Sequence, residues 1–127
     1  MKFSIIIKSL PSSSSSNTAI KFIETALDAG HEIYRVFFYQ AGVAHANNFS
    51  IAPRDEHSVI EHWIKLKEQY ELDLVVCVAA ALRRGVVNDE EAKRYEKNGA
   101  NLHSIFEISG LGQLVDASIN SDRVISF

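Results

Sequence analysis

The chain has 127 residues, of which 46% are hydrophobic and 23% are charged. That length suits one domain, and that composition is typical of a globular protein, so disordered and fibrous classes are excluded. Lys and Arg number 13 against 16 Asp and Glu, which gives a formal net charge of −3. This is the wrong sign for a protein that binds a phosphate backbone unaided. We expect one domain over residues 1–127 and no direct binding of nucleic acid.

Cysteine usage and hydropathy bear on the compartment. Cys77 is the only cysteine, so no internal disulfide can form, and a reducing cytoplasm fits. The apolar run in residues 1–8 is too short for the core of a signal peptide. No stretch approaches the ~20 apolar residues that a membrane-spanning helix needs. We expect a cytoplasmic protein that has no contact with membranes.

Strand and helix patterns alternate from the start of the chain. Phe3–Ile7 is a short, nearly continuous apolar run, which predicts a buried strand. A polar loop that includes serines 12–16 follows, and apolar residues then recur at helical spacing from Ile20 to Leu27 and stop before Gly30. Residues 31–39 are rich in β-branched and aromatic side chains and predict a second strand. Together these segments predict a βαβ unit.

The middle of the chain continues the alternation after the Ala-, Asn- and Gly-rich residues 40–53. Val59–Tyr70 has the spacing of an amphipathic helix, and Leu74–Val78 predicts a third, buried strand. The charged segment Asn88–Lys97 predicts an exposed helix with Asn88 as its cap.

The last third predicts a fourth strand over Leu102–Ile108, a turn at Gly110–Gly112, a short helix through Leu114–Ala117 and a final strand at Arg123–Phe127. Strands that alternate with helices predict a flavodoxin-like α/β fold, with a mainly parallel sheet of about five strands and helices on both faces. Ligands of such folds bind beyond the carboxyl ends of the strands. The commonest strand order makes the first and third strands neighbours.

Cys77 lies at the carboxyl end of the predicted third strand, so in that order it would lie beside the serine loop. Ala79–Leu82 could begin a helix, and Arg83 and Arg84 follow within seven residues of the cysteine. A helix N-terminus and nearby cations both stabilise a thiolate, which is the nucleophilic form. The opposite interpretation is a core cysteine, because free cysteines are among the most buried residue types.

Segments along the whole chain resemble the DsrE/TusD family of sulfurtransferases. The run from Cys77 to Val87 is closely similar to the active-site segment of that family. Further similar segments are Gly30-His31-Glu32, Val36–Tyr39, Gly42-Val43, Ala46-Asn47, Asp55-Glu56, Ser109–Gly112, Ala117-Ser118 and Asp122–Phe127. The serine loop departs most clearly from the family pattern.

The resemblance implies a DsrE-like fold and a sulfur-relay transferase. Cys77 would accept a sulfane sulfur as a persulfide from a carrier fed by a cysteine desulfurase, and pass it to a TusE-like partner for 2-thiolation of the wobble uridine of tRNA. The resemblance also implies a heterohexamer with TusB-like and TusC-like subunits. Such exchange needs no cofactor, since thiolate fraction, leaving-group acidity and access govern it. Arg83 and Arg84 are candidates for tuning the thiolate or for docking a partner.

Two other functions stay open. Serines 12–16 precede a helix and could hold a phosphate through hydroxyl and amide groups, as in a flavodoxin-like cofactor-binding protein. Alternatively, Cys77 is a core residue in a non-catalytic scaffold subunit. No metal site is expected, because His57 and His62 are five apart on a helix and a lone cysteine precludes a thiolate-rich zinc site. The chain also lacks the Gly-x-Ser-x-Gly motif of a serine hydrolase.

Overall fold

Short apolar runs form the strands of a five-stranded sheet in which every pair of neighbours is parallel. The computed structural model describes all residues from Met1 to Phe127. The strands are β1 (Lys2–Ile7), β2 (Glu32–Phe38), β3 (Leu74–Cys77), β4 (Glu107–Ser109) and β5 (Arg123–Ser126). The helices are α1 (Ser14–Asp28), α2 (Val59–Tyr70), α3 (Val78–Arg83), α4 (Asp89–Arg94) and α5 (Gly112–Asn120), with a 3-10 helix at Gln40–Ala46. No helix is long and apolar enough to cross a bilayer.

The strand order is β4-β3-β2-β1-β5, which confirms the predicted α/β class but corrects the expected neighbours. β1 and β3 do not pair, because β2 lies between them. The physical reason is that α1 and α2 lie on the same face of the sheet, and right-handed crossovers on one face carry the chain in one direction across it. Three steps lead from β1 to β4, and only the last connection returns, to pair β5 with the free edge of β1. The direction of strand addition therefore reverses after β4, and the strand order changes direction in the sheet where β1 and β5 meet.

Each face of the sheet is covered by different helices. On one face, Phe3 of β1 packs edge-to-face on Phe22 of α1, with ring centroids 5.4 Å apart. On the same face Phe38 of β2 packs on Trp63 of α2 at 5.2 Å. The opposite face carries Arg35, whose guanidinium binds α5. The prediction of helices on both faces is thus confirmed, and the core lies in the two layers between helices and sheet.

The first helix begins earlier than predicted, within the run of serines. Ser13 is its N-cap, and the Ser13 hydroxyl accepts a hydrogen bond from the backbone amide of Ser15 at 3.2 Å. Serine favours this position because its hydroxyl satisfies an amide that has no partner inside the helix. Ser14–Ser16 therefore belong to α1 and not to a loop.

Other boundaries shifted where local bonds end an element. Asn88 caps α4 as predicted, since its side chain accepts from the amide of Glu91 at 2.9 Å, but the helix ends at Arg94. The fourth strand is Glu107–Ser109, shorter and later than predicted. Leu102 instead forms an isolated antiparallel bridge with Asn47.

Candidate functional site

Cys77 is the last residue of β3 and the cap residue of α3, which begins at Val78. The predicted strand-end position and the helix after it are therefore confirmed. In the sheet, Cys77 pairs with Ser109 of β4. Because side chains alternate across a strand, Cys77 belongs to the row of Val75 and Glu107, on the α5 face.

The Cys77 side chain is buried in the isolated chain. Only 1% of the residue is exposed, and it belongs to the main cluster of buried apolar residues. The side chain makes no hydrogen bond at the start of α3. The thiol is therefore not reachable at the rim of the sheet in this conformation. Chemistry at Cys77 requires a movement that uncovers the sulfur.

Arg83 and Arg84 lie at the far end of α3 and are both exposed. The guanidinium of Arg84 donates to the carbonyl oxygen of Ala80 at 3.2 Å, one helical turn back. Arg83 lines a groove on the surface. Neither arginine forms an ion pair or a hydrogen bond with Cys77, and a tuning or docking role for them stays a prediction.

A cavity of about 550 Å³ opens on the same face of the sheet as the Cys77 side chain. It is lined by Val75 and Glu107 from the two strands, by Ser109 beside Cys77, and by Arg35 and Gln113 at its α5 side. Cys77 itself does not line the cavity. The cavity therefore extends to Ser109, next to Cys77, but does not expose the Cys77 side chain.

The serine segment does not lie beside Cys77, because β2 separates β1 from β3. Ser16 is fully buried, and its hydroxyl lies 2.7 Å from the Leu10 carbonyl oxygen, 2.8 Å from the Ser9 hydroxyl and 3.0 Å from Nε2 of His45. With Ser13 capping α1, two of the five serines are committed to internal contacts. The structure thus gives these hydroxyls a role in holding the turn between β1 and α1.

His45 completes this network and has a defined tautomer. Its Nδ1 lies 3.1 Å from Nε1 of Trp63, which can only donate, so Nδ1 accepts and the ring proton is on Nε2. Nε2 therefore donates to Ser16 Oγ or to the carbonyl of Ser9, at 3.2 Å. Burial lowers the pKa of His45 to about 4. Because Nε2 already carries a proton, His45 cannot serve as a base for Ser16, and the pair is not a hydrolytic dyad.

Sequence reasoning missed His45 and the buried Arg35. Nothing in the run around His45 marks it, because Trp63 is 18 residues away and Ser16 is 29 away. Arg35 stands inside a β-rich segment, and its partners Asp73 and Asp116 come from distant elements. The one available signal was a charged residue at a strand position that the pattern assigns to the core.

The chain matches the model of the DsrE/DsrF-like family over residues 1–127. It is similar to a DsrE protein of Allochromatium vinosum, with 48% identity over 100% of this chain and 98% of the relative. It is also similar to a sulfurtransferase TusD homolog of Pseudomonas aeruginosa, with 49% identity over 100% of this chain and 97% of the relative. A sulfurtransferase TusD of Enterobacter sp. strain 638 is 44% identical over 87% of each chain.

Among solved structures, the ychN protein from E. coli has the same fold, with a TM-score of 0.72 over 100% of this chain and 99% of that chain. Its sequence identity is 17%, so this likeness concerns the fold alone. The curated relatives support a sulfurtransferase role, and the chain belongs to the DsrE/DsrF-like family.

Proposed function

We propose that this chain is a sulfur-relay transferase that carries a sulfane sulfur as a persulfide on Cys77. The observation that carries the proposal is the position of the only thiol at the carboxyl end of β3, where ligands of open parallel sheets bind. The similarity to named sulfurtransferases over the whole chain supports it. A lone cysteine suits a carrier, since the chain has no second thiol that could form an internal disulfide with Cys77 and release the bound sulfur as hydrosulfide.

Two exchanges make up the proposed reaction. The Cys77 thiolate attacks the outer sulfur of a donor persulfide; a new S–S bond forms, the donor S–S bond breaks, and the donor leaves as a thiolate that takes up a proton. The acceptor thiolate then attacks the outer sulfur on Cys77 in the same way. No net oxidation or reduction takes place, and thiolate fraction and access govern both rates.

The proposed relay serves tRNA. The donor is a carrier fed by a cysteine desulfurase, and the acceptor is a TusE-like protein that supplies the enzyme for 2-thiolation of the wobble uridine. TusB-like and TusC-like subunits complete a heterohexamer with this chain, in the cytoplasm, where a reducing environment keeps Cys77 a thiol. The similarity to sulfurtransferases named TusD supports a sulfur-relay complex with other Tus proteins.

The 1% exposure of Cys77 favours a second candidate, a scaffold subunit whose cysteine only fills the core. The two functions differ in one measurable property. A carrier must uncover its sulfur on the time scale of transfer, whereas a scaffold needs no such opening.

The deciding experiment follows sulfur by mass. The complex that contains this chain is incubated with a cysteine desulfurase, cysteine and the intermediate carrier, and the intact chain is weighed. We expect the wild type to gain one sulfur atom and Cys77→Ser to gain none. If the partner subunits gain sulfur while the wild-type chain does not, the carrier function is refuted and the scaffold function is retained.

A further inference from the structure

A groove beside α3 carries two cations that have no partner within the chain. Its volume is about 620 Å³; Arg83 lines it from α3, and Lys97 lines it from the segment after α4. Neither residue forms an ion pair. The positive charge in the groove is therefore not neutralised from within.

Apolar side chains make up much of the remaining lining. Phe49 is 69% exposed and Tyr95 is 51% exposed, although both are large and apolar. Leu82 and Val87 contribute further apolar surface, and no acidic side chain lines the groove. Exposed aromatic residues next to arginine are the combination that is enriched where proteins bind one another.

The groove and Cys77 lie at opposite ends of the short helix α3. Arg83 is six residues beyond Cys77, a separation of about 9 Å along the helix axis at 1.5 Å per residue. A protein segment bound in the groove would hold its neighbouring residues close to the carboxyl end of β3.

We propose that this groove binds an acidic segment of the protein that accepts sulfur from Cys77. Carboxylates of that segment pair with Arg83 and Lys97, and a bulky apolar side chain packs between Phe49 and Tyr95. That the occupant is the sulfur acceptor rests on the proposed function. That the bound segment is acidic is inferred from the two unpaired cations in the groove. The chain carries a net charge of −3, so an acidic partner is repelled on average, and two unpaired cations in one groove orient its approach.

Docking is measured apart from sulfur chemistry, on complexes in which this chain carries Cys77→Ser. The purified acceptor protein of the relay is titrated into these complexes by calorimetry. Arg83→Glu combined with Lys97→Glu is expected to weaken binding at least ~10-fold, because reversing both charges turns attraction into repulsion. The control, Arg54→Glu with Lys65→Glu, changes the net charge equally at exposed cations elsewhere, and a change below about 2-fold is expected.

Loading with inorganic polysulfide, which needs no docking, is measured in parallel with Cys77 intact. The groove variant is expected to gain one sulfur from polysulfide, which shows that its thiol still reacts; no loading in this variant alone would assign Arg83 to the thiolate and overturn the docking proposal. Equal weakening by both double variants, unchanged binding by the groove variant, or no binding of acceptor by any complex would overturn the docking proposal. Failure of the wild type to load, with docking still lost in the groove variant, would overturn the carrier function and leave the groove assignment standing.

Discussion

His45 is the residue whose surroundings most change its acid–base behaviour. It is 2% exposed, and burial lowers its pKa from about 6.5 to about 4, so the ring is neutral in the folded chain near pH 7. Protonation would give Nδ1 a hydrogen that points at the Trp63 Nε1 donor. The charged ring is therefore incompatible with the hydrogen bond at 3.1 Å.

We expect the free energy of unfolding to fall as the pH drops from 6.5 to 4. The unfolded chain binds a proton at His45 in this range and the folded chain does not, so the stabilisation is present above pH 6.5 and is lost towards pH 4. The difference between the unfolded and folded pKa values of His45 corresponds to a loss of about 3 kcal/mol of unfolding free energy. Denaturant titrations at several pH values should show a flatter pH dependence for His45→Gln and an unchanged one for the exposed His57→Gln. An equal slope in His45→Gln and wild type would contradict the prediction.

Gly42 is required by close approach of the backbone. It lies in the 3-10 helix after β2, and a Cβ there would stand 1.9 Å from the carbonyl oxygen of Ile7. Gly42→Ala is expected to destabilise the fold by ~3 kcal/mol or more, because backbone must move. Gly112→Ala, in the first turn of α5 with open space around it, is expected to be neutral or to stabilise by up to ~1 kcal/mol. Thermal unfolding of both variants measures the difference.

At the scale of elements, two adjacent side chains of β2 tie α5 to the sheet, and one of them is Tyr34, whose hydroxyl donates to Asp116 at 2.8 Å. Arg35 of β2 donates to Asp73 at 2.7 Å and to Asp116 and the Gln113 carbonyl oxygen at 2.8 Å each. The hydroxyl of Tyr34 and the Arg35 guanidinium hold the pKa of Asp116 below its ordinary value. This clamp fixes the helix that covers the second face of the sheet.

Arg35→Met is expected to cost about 2 kcal/mol of unfolding free energy. The Arg35 side chain is 11% exposed and loses three bonds, while its carboxylate partners keep part of their hydration, which limits the loss. The matched change Lys2→Met breaks an ion pair whose side chains are 38% and 62% exposed, and less than about 0.5 kcal/mol is expected. Urea denaturation gives both values, and similar losses in the two variants would show that Arg35 is no clamp.

For the whole molecule, function at Cys77 depends on how the folded chain opens. A local route through α3 is available, because this helix has six residues, and short helices are only marginally stable without packing. Global unfolding is the other route. The two routes respond differently to substitutions placed inside and outside α3.

Ala81→Gly in α3 is expected to raise the rate of Cys77 alkylation about 5-fold in the native chain. The glycine costs about 1 kcal/mol of helix stability, which raises the population of the locally opened state by that factor. Ala117→Gly, equally buried but on α5, should leave the rate unchanged. Iodoacetamide labelling followed by mass spectrometry measures both rates. Equal acceleration by the two variants would indicate that the thiol is uncovered only by unfolding of the whole chain.

Strand and helix types were predictable from the sequence, because they depend on the spacing of apolar residues along the chain. Leu74–Cys77 and Val59–Tyr70 agree closely with the predicted third strand and second helix. The start of the fourth strand was predicted five residues too early. The apolar residues from Leu102 to Phe106 pack against the core in irregular backbone, and the strand begins at Glu107. The role of Cys77 in chemistry stays a prediction.

The sequence by itself determined the α/β class, the alternation of elements, the family and the place of Cys77 at a strand end. All of these depend on local periodicity or on similarity read along the chain. Only the tertiary structure decided the strand order, the burial of Cys77, the tautomer of His45 and the groove between Arg83 and Lys97. These depend on contacts between residues far apart in the chain, whose free energies leave no periodic trace in the sequence.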